Sequence, residues 1–176
     1  MSDSNMVRWG ALAAMLGGVA ALMEFIFYPD NPGLAEVLLL AAYVLAAVGL
    51  VGFHAAQKEG YGRLGRAGFY TASVGSLGAV LAMTATVAGS ASLDVLHAIG
   101  AALMIVGYIL YGVATLQAKV LPRWCGVLFS VVGPVSFVVL GFGGYTTIVF
   151  GLFWLILGYA LWSWKGAAVR QTAAVI

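Results

Sequence analysis

Charge is what this chain has least of. Lys and Arg number 8 and Asp and Glu 6 in 176 residues, so charged side chains make up 8%, against about 25% in a soluble domain. That leaves too little polar surface to cover a globule in water. The shortage excludes a soluble enzyme, a disordered chain and a nucleic-acid binder, and it calls for a lipid bilayer as solvent. Cysteine is nearly absent. Cys125 stands alone, which excludes an intrachain disulfide and leaves the redox compartment unread. At the start of an apolar stretch it suits a small buried hydrophobe. No Asn-x-Ser/Thr sequon occurs. There is no zinc spacing, no Cys-x-x-Cys and no phosphate-cradling glycine loop. Nor is there a Ser-His-acid set on one membrane face. The sequence therefore calls for no metal and no cofactor, and offers no residues for a catalytic role.

What is present is apolar. Hydrophobic residues make up 63% of the chain and the mean hydropathy is +1.05. Six stretches are long enough to cross a bilayer, at about 20 apolar residues each: 9–27, 34–54, 67–89, 94–117, 124–141 and 145–164. Each is expected to be helical, because an unpaired backbone amide in hydrocarbon costs several kcal/mol. Runs such as Val37-Leu38-Leu39-Leu40 lack the alternation of a membrane β-barrel. The expected fold is all-α, a six-transmembrane-helix bundle forming a single integral membrane domain over residues 1–176. Arg8 and the apolar run after it have the look of a secretory signal. Glu24, however, stands where a small-residue cleavage site would form, so the segment reads as a retained first helix.

The connections alternate in charge. Lys58, Arg63 and Arg66 share one loop, and Lys119 and Arg123 another; Arg8 precedes the first span, and Lys165 and Arg170 follow the last. The other connections carry no Lys or Arg. The positive-inside rule makes the basic side cytoplasmic, with both termini inside, in a multi-pass protein of the cell inner membrane. Trp9, Trp124, Trp162 and Trp164 fall at the same boundary, as an aromatic belt should.

Glycines recur at a fixed interval. Gly10 and Gly17 open the first span, Gly68 and Gly75 the third, and Gly126 and Gly133 the fifth, each pair 58 residues after the one before. Glu36 and Asp94, each near the head of an even span, are also 58 apart. The pattern reads as three repeated in-out-in helical hairpins, the third degraded. Gly10, Ala14, Gly17 and Ala21 share one helical face, and Gly68, Ala72, Gly75 and Ala79 share another. Small residues at such spacings let membrane helices approach closely. Three stripes of this kind predict that the odd-numbered helices meet at the centre. Pro134 predicts a kink in the fifth.

Few residues offer chemistry. Glu24 continues the small-residue face of the first helix, and an acid within a span is a functional candidate. His97 lies one turn into the fourth helix, with Asp94 on its face. Tyr108 and Tyr111 continue that face. Glu24, Asp94 and His97 are expected to cluster in the outer leaflet, with Glu24 and His97 approaching each other. One His with two acids is too few ligands for a transition metal. His54 is a membrane thickness from His97, which excludes a haem bridged by the two.

Several segments are familiar together: Arg8-Trp9-Gly10-Ala11-Leu12-Ala13-Ala14-Met15-Leu16-Gly17-Gly18, Tyr61-Gly62-Arg63-Leu64-Gly65-Arg66-Ala67-Gly68, Leu121-Pro122-Arg123-Trp124 and Leu157-Gly158-Tyr159-Ala160-Leu161-Trp162. They resemble a large pool of small bacterial multi-pass membrane proteins. The resemblance implies a prokaryotic inner membrane and carries no activity or site residue with it. Six spans in so short a chain are also similar to the substrate-binding subunits of vitamin transporters, in size and span count alone. The functional expectation is a non-catalytic membrane module that binds a small or lipophilic ligand, or packs as a subunit of a larger membrane complex. The alternative is a channel or transporter for a small solute or ion. The expected partners are the lipid bilayer and a lipophilic small molecule or a membrane protein.

Overall fold

The computed structural model describes residues 3–90, 93–138 and 145–164, excluding the side chains of Asp94, Val138 and Tyr145. Its elements are α1 (Asp3–Phe27), α2 (Pro32–Gln57), α3 (Gly62–Val87), α4 (Asp94–Ala118), α5 (Arg123–Val127), a π-helical turn (Leu128–Val132), α6 (Gly133–Val138) and α7 (Tyr145–Ser163). There is no strand among the described residues. α5, the π turn and α6 follow one another directly, giving six helices in all. Five helices, α1 to α4 and α7, are long and apolar enough to cross a membrane. The fifth apolar stretch falls short of a full span over its described length. The expected span 124–141 runs on into residues 139–144, which lie outside the described residues, as do Lys165 and Arg170.

Local chemistry sets the helix ends. Asn31 caps α2, its Oδ1 accepting from the Leu34 amide at 3.1 Å, and Pro32 follows where a missing N–H costs nothing. Two residues past the end of α3 stands Gly89, whose φ of +80° suits glycine. The Ser90 amide reaches back to the Ala85 carbonyl and the Gly89 amide to that of Thr86, satisfying two terminal carbonyls. Pro134 lacks an amide hydrogen and crowds the turn before it. The backbone answers by widening there: the Gly133 amide bonds to Leu128 O, five residues back.

The helices close into a ring. α1 packs between α2 and α7, α2 meets α3, α3 lies along α4, and α4 meets the α5–π–α6 segment, which meets α7 in turn. Inside the ring stand Phe53, Tyr108, Tyr111, Phe129, Phe153 and Trp154, none more than 1% exposed. Phe129, carried on the π turn, touches the other five, with centroid distances of 5.1 to 6.2 Å. Large side chains also point outward: Trp9 is 64% exposed, Leu77 62% and Val95 73%. In water such a surface would aggregate; in lipid it is solvated.

The odd helices do not meet at the centre as the glycine stripes predict. Each stripe faces a neighbour in the ring. A Cβ on Gly17 would lie 3.2 Å from both the Ala42 carbonyl oxygen and the Ala46 nitrogen, on α2. One on Gly75 would lie 2.6 Å from the Gly100 carbonyl oxygen and 2.7 Å from the Met104 nitrogen, on α4. Gly10 likewise meets Gly52 on α2, and Gly68 meets Tyr111 on α4. Gly126 and Gly133 also face α4, at Gly112 and Tyr108. The physical reason is area. A long antiparallel neighbour offers backbone along the whole stripe, whereas the ring centre is filled by aromatic rings.

Substituting Gly75 with Ala would therefore force backbone apart, while Gly33 has only Asn31 Oδ1 near it, at 3.9 Å. Gly75→Ala is expected to lose about 1–3 kcal/mol and to lower the thermal midpoint in detergent. Gly33→Ala should leave the midpoint unchanged or slightly raised. Equal midpoints for the two variants would remove the close-packing account.

Candidate functional site

Two polar groupings lie inside the ring, one toward each end. The basic end holds the start of α1, the junctions of α2 with α3 and of α4 with α5, and the end of α7. The opposite end holds the end of α1 and the start of α7.

Glu24 anchors the opposite end. It lies in the last turn of α1, on the face continued from Ala21, and is only 7% exposed. Its carboxylate accepts a hydrogen bond from the Thr147 hydroxyl of α7. Its Oε2 is buried and has no partner. The phenol of Tyr43, on α2, is within electrostatic reach of the carboxylate. The Tyr43 ring stands edge-on to His97, centroids 6.0 Å apart at 79°, and packs on Phe150 at 5.5 Å. Tyr43 is thus a shared neighbour of Glu24 and His97.

Two cavities adjoin this group. One, of about 280 Å³, is lined among the described residues by Glu24, Phe25, Ile26, Tyr28 and Pro29. The other, of about 30 Å³, is lined by Tyr43, Ser136, Thr146 and Thr147 with Leu39, Phe137 and Phe150. The second has room for about one water. The first is largely apolar. No Lys or Arg lies at this end of the sequence's spans.

The second grouping lies toward the basic end. Gln57, 1% exposed, donates from Nε2 to the Tyr111 hydroxyl at 3.0 Å, and its Oε1 has no partner. The Tyr61 ring stands edge-on to Tyr111 at 5.6 Å. The Tyr61 hydroxyl is hydrogen-bonded to His54 Nδ1, and His54 stacks on Phe69 at 4.0 Å. Tyr61 lies in the loop between α2 and α3, where burial pushes its hydroxyl well above its ordinary value and keeps the proton on it. The Lys58–Asp3 ion pair, at 2.9 Å, is exposed on both sides and adds little.

The expected site residues are therefore divided. Glu24 and His97 stand at one end around Tyr43, whereas Asp94 has its side chain outside the described residues. Tyr108 sits mid-ring, hydrogen-bonded to Ser76, whose hydroxyl donates to Ala72 O at 2.9 Å. Tyr111 belongs with Gln57 toward the basic end. Tyr43, Thr147, Gln57 and Tyr61 join these groups without having stood out in the sequence. Gln57 carried one usable signal, its position three residues after His54 on the same helix. Among the described residues no group of three or more His, Cys, Asp or Glu side chains stands close enough to hold a metal ion.

No family model, no curated protein and no solved structure matches the chain.

The Gln57–Tyr111 pair is a buried hydrogen bond between α2 and α4. Removing either partner alone leaves the other unsatisfied, at about 1–3 kcal/mol. Gln57→Leu and Tyr111→Phe should each lower stability, and the double variant should lose less than their sum. The expected coupling is about 0.6–1.7 kcal/mol, the range for such bonds between membrane helices. Strict additivity in unfolding titrations would show that the bond contributes nothing.

Proposed function

We propose that this protein is a non-catalytic membrane module that binds a small lipophilic ligand at the end of the ring holding Glu24. The observation that carries the reading is the 280 Å³ cavity at the last turn of α1, whose described lining is mainly the apolar surface of Phe25, Ile26, Tyr28 and Pro29. The aromatic filling of the ring favours binding over an open pore, since Phe129 and Trp154 occupy the axis a solute would travel.

The orientation belongs to the same proposal. The basic end faces the cytoplasm of a bacterial cell, both termini are inside, and the Glu24 cavity opens in the outer half of the inner membrane. The three-hairpin repeat belongs to it as well. In its support, Gly17 meets Ala42 and Ala46 as Gly75, 58 residues on, meets Gly100 and Met104, each also 58 residues on. The third hairpin departs from the pattern because Gly126 packs on α4.

Two measurements bear on these statements. A neutral alkyl diazirine, photolysed with the protein in lipid nanodiscs, should label residues 24–29, and excess dodecanol should displace the label. Even labelling of all lipid-facing helix surfaces, or labelling that dodecanol leaves in place, would sink the binding reading. For orientation, Asp30→Cys in intact cells should react with a membrane-impermeant maleimide and Glu59→Cys should not; the reverse pattern would invert the topology.

A further inference from the structure

We infer that the outward face of α3, at the basic end of the bundle, is a binding surface for an acidic phospholipid. This surface lies at the opposite end from the Glu24 cavity, and it does not depend on which end is cytoplasmic. Successive steps of three or four residues return to one side of an α-helix. Arg63, Arg66, Tyr70, Val74, Leu77 and Leu81 follow one another by such steps along α3, and all six are exposed. α3 packs on α2 and α4, yet neither covers this stripe: Tyr70 is 61% exposed and Leu77 62%.

Two guanidinium groups head the stripe. Among the described residues neither is ion-paired; the one ion pair there joins Lys58 to Asp3. Lys58 and Arg66 both act electrostatically on His54, so bases gather at the junction of α2 with α3. Glu59 is the one acid of the connecting loop. No other helix has this arrangement among the described residues. Arg8 on α1 and Arg123 on α5 stand singly, α2 ends beside the paired Lys58, and Lys119 follows α4 as its left-handed cap.

The chemistry of the stripe selects its occupant. Two unpaired guanidinium groups call for an anion, and their planar forks match phosphate oxygens. The apolar run below them calls for hydrocarbon. At 1.5 Å rise per residue, Leu77 lies about 16 Å along the axis from Arg66. That is close to the roughly 15 Å of hydrocarbon in one leaflet. A phospholipid with its phosphate at the arginines therefore lays its chains along Tyr70, Val74 and Leu77. Tyr70, between head and tails, stands where an interfacial aromatic belongs. A soluble phosphate would leave the apolar run unused. A zwitterionic lipid brings a phosphate, but its own ammonium cancels the charge that the two bases require. A lipid with a net negative headgroup supplies both parts in one molecule.

The test uses the whole protein in phosphatidylcholine nanodiscs. A small share of diazirine-tailed phosphatidylglycerol, or separately of diazirine-tailed phosphatidylcholine, is added and photolysed, and the labelled residues are mapped. Phosphatidylglycerol is expected to label residues 67–81 at least about fivefold more than phosphatidylcholine does, the gain for one base near an anionic lipid surface. Arg63→Gln combined with Arg66→Gln should bring the two lipids to equal labelling. Arg8→Gln combined with Arg123→Gln removes as much charge from the same end and should leave the preference in place. Equal labelling of residues 67–81 by the two lipids on the unaltered protein overturns the inference, and that comparison needs no variant. An equal loss of preference in both double variants also overturns it, because the effect would then belong to the net charge of that end and not to α3. Equal labelling together with saturable binding of a glutamate-rich peptide, lost in the Arg63→Gln, Arg66→Gln variant, would give the face to an acidic protein segment instead of a lipid.

Discussion

Helices in lipid gain no hydrophobic driving force from touching one another, because hydrocarbon tails are as apolar as leucine. What they gain is dispersion contact, and that depends on how closely the backbones come together. This constraint organises the bundle. Gly10 against Gly52 and Gly75 against Gly100 bring helix axes as near as backbones allow. α1 carries the demand twice over, since Gly18 meets Gly151 on α7 while Gly17 meets α2. Its small residues are therefore spread around two faces, and its large ones are left to the lipid. Side-chain size, not polarity, separates inside from outside in this helix.

Close packing at the rim leaves the ring centre to be filled differently. Six helices cannot all touch at one axis, and the space between them is taken by rings in edge-to-face contact, the geometry aromatic quadrupoles prefer. Phe129 is the common member of that group, and the π turn presents it. The same turn answers the steric demand of Pro134. One residue without an amide hydrogen thus sets the position of the side chain on which the axial packing converges. The polar groups lie beside and beyond this aromatic plug, Gln57 with Tyr111 on one side and Glu24 with Tyr43 on the other.

The spans were legible because length and apolarity are properties of a segment by itself. The fifth was read too simply: Pro134 announces a distortion but not the shift to i+5 bonding that carries Phe129 inward. The glycine stripes were legible as faces, but periodicity identifies the face and not its neighbour, so the expected central meeting proved to be packing against adjacent helices. Glu24 was legible as interior because it extends the Ala21 face. Tyr43 and Thr147 were not, since a single hydroxyl within an apolar run has no periodic signature. Thr147 moreover reaches Glu24 only because α7 closes the ring onto α1, a pairing of the chain's two ends that no local pattern encodes.

The π turn also divides the bundle mechanically. α1 with α2, and α3 with α4, are locked along their lengths by backbone-to-backbone contact, so each pair is a stiff rod. The segment from α5 to α6 has a proline, a widened turn and a looser ladder of hydrogen bonds within one short stretch. Among the described residues this strut is the one whose ladder departs from α-helical bonding. That strut bears the aromatic ring on which Phe53, Tyr108, Tyr111, Phe153 and Trp154 all lean. Through that one ring the strut bears on three other helices at once, α2, α4 and α7.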